Sequence, residues 1–395
     1  MKKLVFSLAL ISLVFTSCTS SDDDVVVTPP IATGDITGDI TASKTYTKGT
    51  YALSGSVRVK SGATLTFEAG SVVTADASNG TDALLVEKGG KLNISGTAAE
   101  PVVFTEKSKT AGSWGGIIMF GDAPIVSGKT ADGTPITTAT SEDGTNIVYG
   151  GTNAAHNGGS LKYVRVEYAG KKILDGNSEM NGFSFYSVGS GTILENLVAY
   201  KGADDGFEFY GGTVSAKNLI SYGNTDDSFD WQDGWQGQAN TNWYAYQTGA
   251  GNFGMEIEAK SVNNAFFPKV SNITLRRAAG TVTEAGNPLE VDAIQFKKEG
   301  NGEYSNVVIS GYTSANAVSV RIQDAATNTN QVLTGKIKML NVKIADNTTL
   351  WGAGAATFSV TFLPANFTSS TSATGAAMTP GAWAIIDGVN LLGNL

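Results

Sequence analysis

From about residue 35 onward, apolar and polar residues alternate in short runs rich in β-branched and aromatic side chains, with Gly, Asn, Ser and Asp between them. Period-two alternation predicts strands with one buried face. Beyond an apolar stretch at the N-terminus, no segment carries a helical stripe. The runs also repeat. Ala203-Asp204-Asp205-Gly206-Phe207-Glu208-Phe209 and Thr225-Asp226-Asp227-Ser228-Phe229-Asp230-Trp231 match in kind at every position, 22 residues apart. Met180-Asn181-Gly182-Phe183-Ser184-Phe185 is a weaker copy, offset by 24. A second phrase, Asn followed by an alternating strand, begins at Asn196, Asn218, Asn272, Asn306 and Asn341.

Several short strands in a period near 22 predict an all-β solenoid, a single right-handed parallel β-helix of roughly ten coils over residues 35–395. One coil cannot bury its own inward side chains, so coils stack at the ~4.8 Å strand spacing and share a core. Inward positions then form ladders, one of Phe183, Phe207 and Phe229, another of Phe185, Phe209 and Trp231. A β-sandwich is the alternative, and the fixed 22-residue offset disfavours it. The recurring Asn residues suit left-handed bends that bond along the stack better than they suit a binding ladder.

The N-terminus reads differently. Lys2 and Lys3 precede an apolar run from Leu4 to Phe15, followed by Thr16, Ser17 and Cys18. A basic start, a short apolar run and small residues make residues 1–17 a signal peptide, too short to span a bilayer. Its end resembles a lipobox, with Phe15 in place of the usual Leu. That implies a lipoprotein whose acylated Cys18 is the mature N-terminus. Asp22-Asp23-Asp24 resembles the surface-export signal of Bacteroidetes lipoproteins, and residues 18–34, with Pro29-Pro30, read as a tether. The expectation is a lipid anchor in the outer membrane, facing outward.

Composition narrows the chemistry. The 36 acids against 27 bases give a charge of −9, which argues against nucleic acid as a partner. One Cys excludes an internal disulfide, and one His excludes a His-rich metal site. No Ser-His-Asp set and no phosphate-binding Gly loop can be placed.

The phrases Gly112-Ser113-Trp114-Gly115-Gly116-Ile117, Ser160–Gly170 and Asp204–Val214 resemble a widespread family of exported bacterial right-handed β-helix proteins, common in Bacteroidetes. The likeness covers about residues 50 to 250 well and the last 140 loosely. It implies fold and export; it carries no catalytic residue across.

The sharpest chemical signal is acidic. If Phe207 and Phe209 point inward, Glu208 points out between them and Asp230 stacks on it one coil later. Glu256, in Met255-Glu256-Ile257, continues the row. Asp204 and Asp226 form a second pair, while Asp205 and Asp227 turn inward or cap the bend. Carboxylates at coil spacing repel, so they need a cation, a shared proton or a wet surface. Donors that are all oxygen favour Ca²⁺ on Asp204, Glu208, Asp226 and Asp230; the competing reading is a solvated acidic face. Beside the row, Trp235, Trp243, Tyr244 and Asp233 suit stacking on sugar rings and bonding to hydroxyls, unless that loop folds back with its aromatics buried. The function expected is a non-catalytic surface binding or scaffold module with carbohydrate as its candidate ligand. The alternative is a polysaccharide hydrolase or lyase using the acid row. Asn224-Thr225-Asp226 and Asp204-Asp205 resemble the acidic motifs of β-helix polygalacturonases, but the order is reversed and no Gly-His-Gly follows. His156, far upstream, reads as a surface-loop residue.

Overall fold

Every long strand in the middle of the chain bends at one residue with a left-handed backbone. At Asn196, Asn218, Asn242, Asn272, Asn306 and Asn341, φ lies between 55° and 60°, and at the equivalent Tyr163 it is 53°. Asn tolerates this conformation because its side chain bonds locally. Here the side chains also bond along the stack: Asn218 Nδ2 donates to Asn196 Oδ1 at 2.8 Å, and Asn242 donates to Asn218 at 2.9 Å. The bend splits each long strand across two faces of the coil. A ladder of four- and five-residue strands, including Phe183–Tyr186, Phe207–Tyr210, Phe229–Gln232 and Met255–Glu258, forms the third.

These observations come from a computed structural model, which describes residues 32–173, 179–262, 267–285, 287–346 and 349–395. Cys18 and Asp22–Asp24 lie outside the described residues. Twenty-four strands join in one sheet, and every named pairing within it is parallel. The fold is the expected right-handed parallel β-helix. Its first strand, Ala32–Ile40, begins inside the segment read as tether. The Phe183–Phe207–Phe229 ladder stacks as expected, whereas in the second ladder Phe185 stacks on Phe209, and Phe209 on Trp235 and Trp243 in place of its strand partner Trp231. Phe183 and Phe207 lie 5.0 Å apart, Phe207 and Phe229 5.7 Å, and all three are fully buried.

Two segments depart from the coil pattern. Residues 121–158 form an insertion whose Ile125 and Tyr149 pack on the outward apolar positions Leu85, Ile118 and Tyr186 of the short-strand ladder. The expectation that coils run to the end is corrected at the C-terminus. The last strand of the main sheet is Phe367–Ser369, and the tail then runs back along the outside of the long strands. Its backbone bonds side chains on successive coils, with Thr374 N on Asn306 Oδ1 and Ala376 N on Thr274 Oγ1. Farther back, Trp383 N reaches Ala98 O, and Arg165 Nη1 donates to Ile385 O. The reason is hydrophobic: Val198, Ile220 and Tyr244 point outward on adjacent coils and need cover, which Trp383, Ile386 and Leu391 supply. Trp383 is 2 % exposed and meets Tyr163 edge-on. Trp383→Ala should therefore cost about 3–5 kcal/mol in chemical denaturation, against little for Ile385→Ala, which is 42 % exposed. Equal, small losses for both would show that this ring does not hold the strap.

Candidate functional site

The 22-residue repeat places two acidic columns side by side. Phe207 pairs with Phe229, so Glu208 pairs with Asp230, and Asp230 in turn with Glu256, all on the outward side of the short strands. The second column lies in the turn before each strand. There Asp205 Oδ1 accepts the backbone N–H of Asp227 at 2.8 Å, and Asp227 Oδ1 accepts that of Phe253 at 2.6 Å. These two acids cap the bend from coil to coil. Gly206 is small of necessity, because a Cβ would lie 2.5 Å from Ser221 Oγ and 2.8 Å from Ser228 O.

Asp204 and Asp226 flank the caps. Asp204 is 1 % exposed, and its Oδ2 has no hydrogen-bond partner. Asp226 Oδ1 accepts from Asn252 Nδ2. Glu208 is oriented by amides, from Asn181 Nδ2 at 2.6 Å and Gln232 Nε2 at 3.0 Å. Asp230 Oδ1 is out of reach of solvent and unpartnered. Toward the C-terminal side the charge is balanced: Lys297 pairs with Glu256, and Glu258 holds Lys260 at 2.9 Å and Lys298 at 2.8 Å.

These groups line a cavity of about 290 Å³, in which eleven carboxylates face three lysines. The solvated-face reading is thereby corrected: loops close over the row and take it out of bulk water. Glu142 comes from the 121–158 insertion and Glu179 from the turn before Asn181. Asn287 and Glu290 come from the loop after the long strand Lys269–Arg277. Burial pushes the Glu208 carboxyl up to about 8, with Glu142 adding to it. Asp226 rises to about 7 through burial and the charges of Glu284 and Glu290. Burial, followed by Glu256, raises Glu290 to about 7. Asp204, Asp205, Asp227 and Asp230 stand well above the carboxylate range for the same reasons, burial first and neighbouring acids second. Glu258 moves the other way. Burial pushes it up, but Lys260, Lys298 and Lys297 together hold it below its ordinary range.

The four acids read from sequence, Asp204, Glu208, Asp226 and Asp230, thus share one cavity. The aromatic ligand face does not exist. Trp235, Trp243 and Tyr244 are at most 1 % exposed. Trp243 pairs with Leu219 and points into the core, donating from Nε1 to Ala216 O at 3.1 Å; Trp235 Nε1 donates to Val214 O at 3.0 Å. Tyr244 lies beneath the C-terminal strap. Asp233 accepts from the Tyr149 hydroxyl and is pushed up to about 6 by burial. His156 is likewise no surface residue: it is 6 % exposed, its Nε2 has no partner, and burial pushes its pKa down.

The fold matches a known architecture. The model of the pectate-lyase-like β-helix domain matches residues 34–385. The chain belongs to this family. Membership in the pectate-lyase-like β-helix family is compatible with a polysaccharide-related function. No curated protein and no solved structure matches the chain.

The raised acids set a pH dependence. A carboxyl whose folded pKa lies above its unfolded value favours folding while protonated, and this contribution is lost as pH rises through the folded pKa. With chelator present, the unfolding midpoint should fall between about pH 6.5 and 8.5, above the midpoint near 6.5 at which an unfolded His titrates and through the raised values of Asp226, Glu290 and Glu208. Glu208→Gln should flatten that fall. A midpoint that is constant or rising across this window would contradict the raised values.

Proposed function

We propose that the chain is a lipid-anchored, outward-facing module of the outer membrane that binds carbohydrate without cleaving it, through Ca²⁺ held in the acidic cavity. The observation that carries the cation is charge without balance. Asp204, Asp205, Glu208, Asp226, Asp227 and Asp230 form no ion pair among the described residues, because the cavity lysines are committed to Glu256 and Glu258. Two unit charges ~4.8 Å apart repel by roughly 3 kcal/mol at an effective dielectric near 20. Oxygens of three carboxylates come within 4.8 Å of one another in three overlapping groups. That is about twice a Ca–O distance, and oxygen-only donors suit Ca²⁺.

The carbohydrate part rests on the family and on the polar lining of the cavity. The anchor rests on the residues around Cys18. Two features support binding over cleavage. An acid–base pair needs two groups whose pKa values are driven apart, whereas the in-register pair Glu208 and Asp230 both move upward, and Glu258, the acid that moves down, is locked to lysines. Every lysine in the cavity is also held in an ion pair.

One observation favours a hydrolase instead. Glu208 and Asp230 sit in register on adjacent strands, near the ~5 Å carboxyl separation of retaining enzymes. A glycan array run with Ca²⁺ and with chelator, alongside a reducing-sugar assay on the bound glycans, decides between them. The expected result is calcium-dependent retention with no product. Retention unaffected by chelator would remove the cation from the account, and released sugar would establish the enzyme. Cys18→Ala should release the protein from membranes.

A further inference from the structure

The three carboxylate groups are not equivalent. Glu179, Asp204 and Asp226 make an outer group at the cavity rim, and Asp205, Glu208 and Asp230 an inner one. The two have no residue in common. Asp205, Asp226 and Asp227 form the third group, which borrows a member from each of the others. Two of its acids are already engaged as backbone caps, Asp205 to Asp227 N and Asp227 to Phe253 N. The third group is therefore a bridge between two positions and not a position of its own.

Each of the two positions carries its own unsatisfied buried oxygen. In the outer group it is Oδ2 of Asp204, a residue 1 % exposed. In the inner group it is Oδ1 of Asp230, beside Asp205 at 7 % and Glu208 at 6 % exposed. A buried carboxylate oxygen without donor or cation is costly, and one ion cannot serve both groups if each is to be satisfied. The charge points the same way. Two divalent ions against the six acids of the two groups leave a residue that the surrounding amides of Asn181, Gln232 and Asn252 can solvate. One ion leaves a buried excess about twice as large.

Resting on the Ca²⁺ reading of this cavity, we infer that it holds two cations, an outer ion on Glu179, Asp204 and Asp226 and an inner ion on Asp205, Glu208 and Asp230. The inner ion is enclosed by the coil stack and amide-oriented ligands, and it is the tighter and structural one. The outer ion keeps an open side, because Glu179 is exposed and is shared with Lys172, 3.4 Å away. It is the ion with room for a hydroxyl of the carbohydrate.

Native mass spectrometry and calorimetric titration of the mature chain with Ca²⁺ alone test this. Two ions should bind, with affinities at least tenfold apart. Asp204→Asn should lose the weaker ion and keep the tighter one; Glu208→Gln should lose the tighter ion and most of the calcium-dependent rise in melting temperature. If either variant fails to fold by far-UV circular dichroism, Glu179→Gln replaces the first and Asp230→Asn the second. One ion per chain, lost in both variants, overturns the two-ion inference and leaves the calcium cavity standing. No ion in the wild type overturns both.

Discussion

Repulsion between like charges on adjacent coils is the constraint on which this molecule turns. Parallel stacking in register puts equivalent residues one strand spacing apart, so any acid repeated at the coil period meets a copy of itself. A water-exposed row would tolerate this, at about 1 kcal/mol per contact in bulk dielectric. Here the row is roofed. Glu142, Glu179 and Glu290 descend from three separate segments and add charge of the same sign. The chain has spent stability on concentrating carboxylates, and the cavity is balanced only by protons or by a cation. At neutral pH the first solution is partial, since Asp226 and Glu290 sit near 7 and Glu208 near 8.

The rest of the fold makes such a cavity affordable. Below the acids lie the stacked rings of Phe183, Phe207, Phe229 and Trp243, fully buried, which anchor the short strands from the inside. On the far faces, Asn residues fix the bends from Asn196 to Asn341, and the C-terminal strap ties widely separated coils together through Thr374, Ala376 and Trp383. A solenoid is held mainly by neighbour-to-neighbour contacts, so a strap spanning many coils adds the long-range coupling the stack itself lacks. Glu208, Asp230 and Glu256 are thus mounted on a rigid face and held by strand register, while Asp205 and Asp227 in the turns are held by their backbone caps.

The parts legible in sequence are those confined to one coil. The pairs Phe207–Phe229 and Glu208–Asp230 could be read because both members sit in the same phrase at a fixed offset, and pairing in a sheet then sets which face each occupies. The caps at Asp205 and Asp227 follow from the same phrase. What covers the row was not legible, since Glu142, Glu179 and Glu290 lie in segments without a period. Asn181, which orients Glu208, sat in the weaker copy Met180–Phe185 at the position equivalent to Asp205 and could have been found there. Trp243 was misplaced for a specific reason. The interval from Asn218 to Asn272 suits a coil with a loop or two coils; the aromatic face follows from the first, and Asn242, at φ 58°, marks the bend that makes it two. With that bend in place Trp243 falls inward beside Leu219, and Tyr244 falls outward, where only the distant strap decides its burial. His156 is buried because the insertion around it folds back on the solenoid, which the aperiodic sequence there does not reveal.

The most direct measurement is long-wavelength anomalous diffraction from crystals of the mature protein grown with millimolar Ca²⁺. The account predicts anomalous peaks among the carboxylates of Asp204, Asp226, Glu208 and Asp230, absent from crystals grown with chelator. A cavity without anomalous signal at neutral pH, its acids drawn into carboxyl–carboxylate hydrogen bonds, would contradict it and leave protons as the balancing charge.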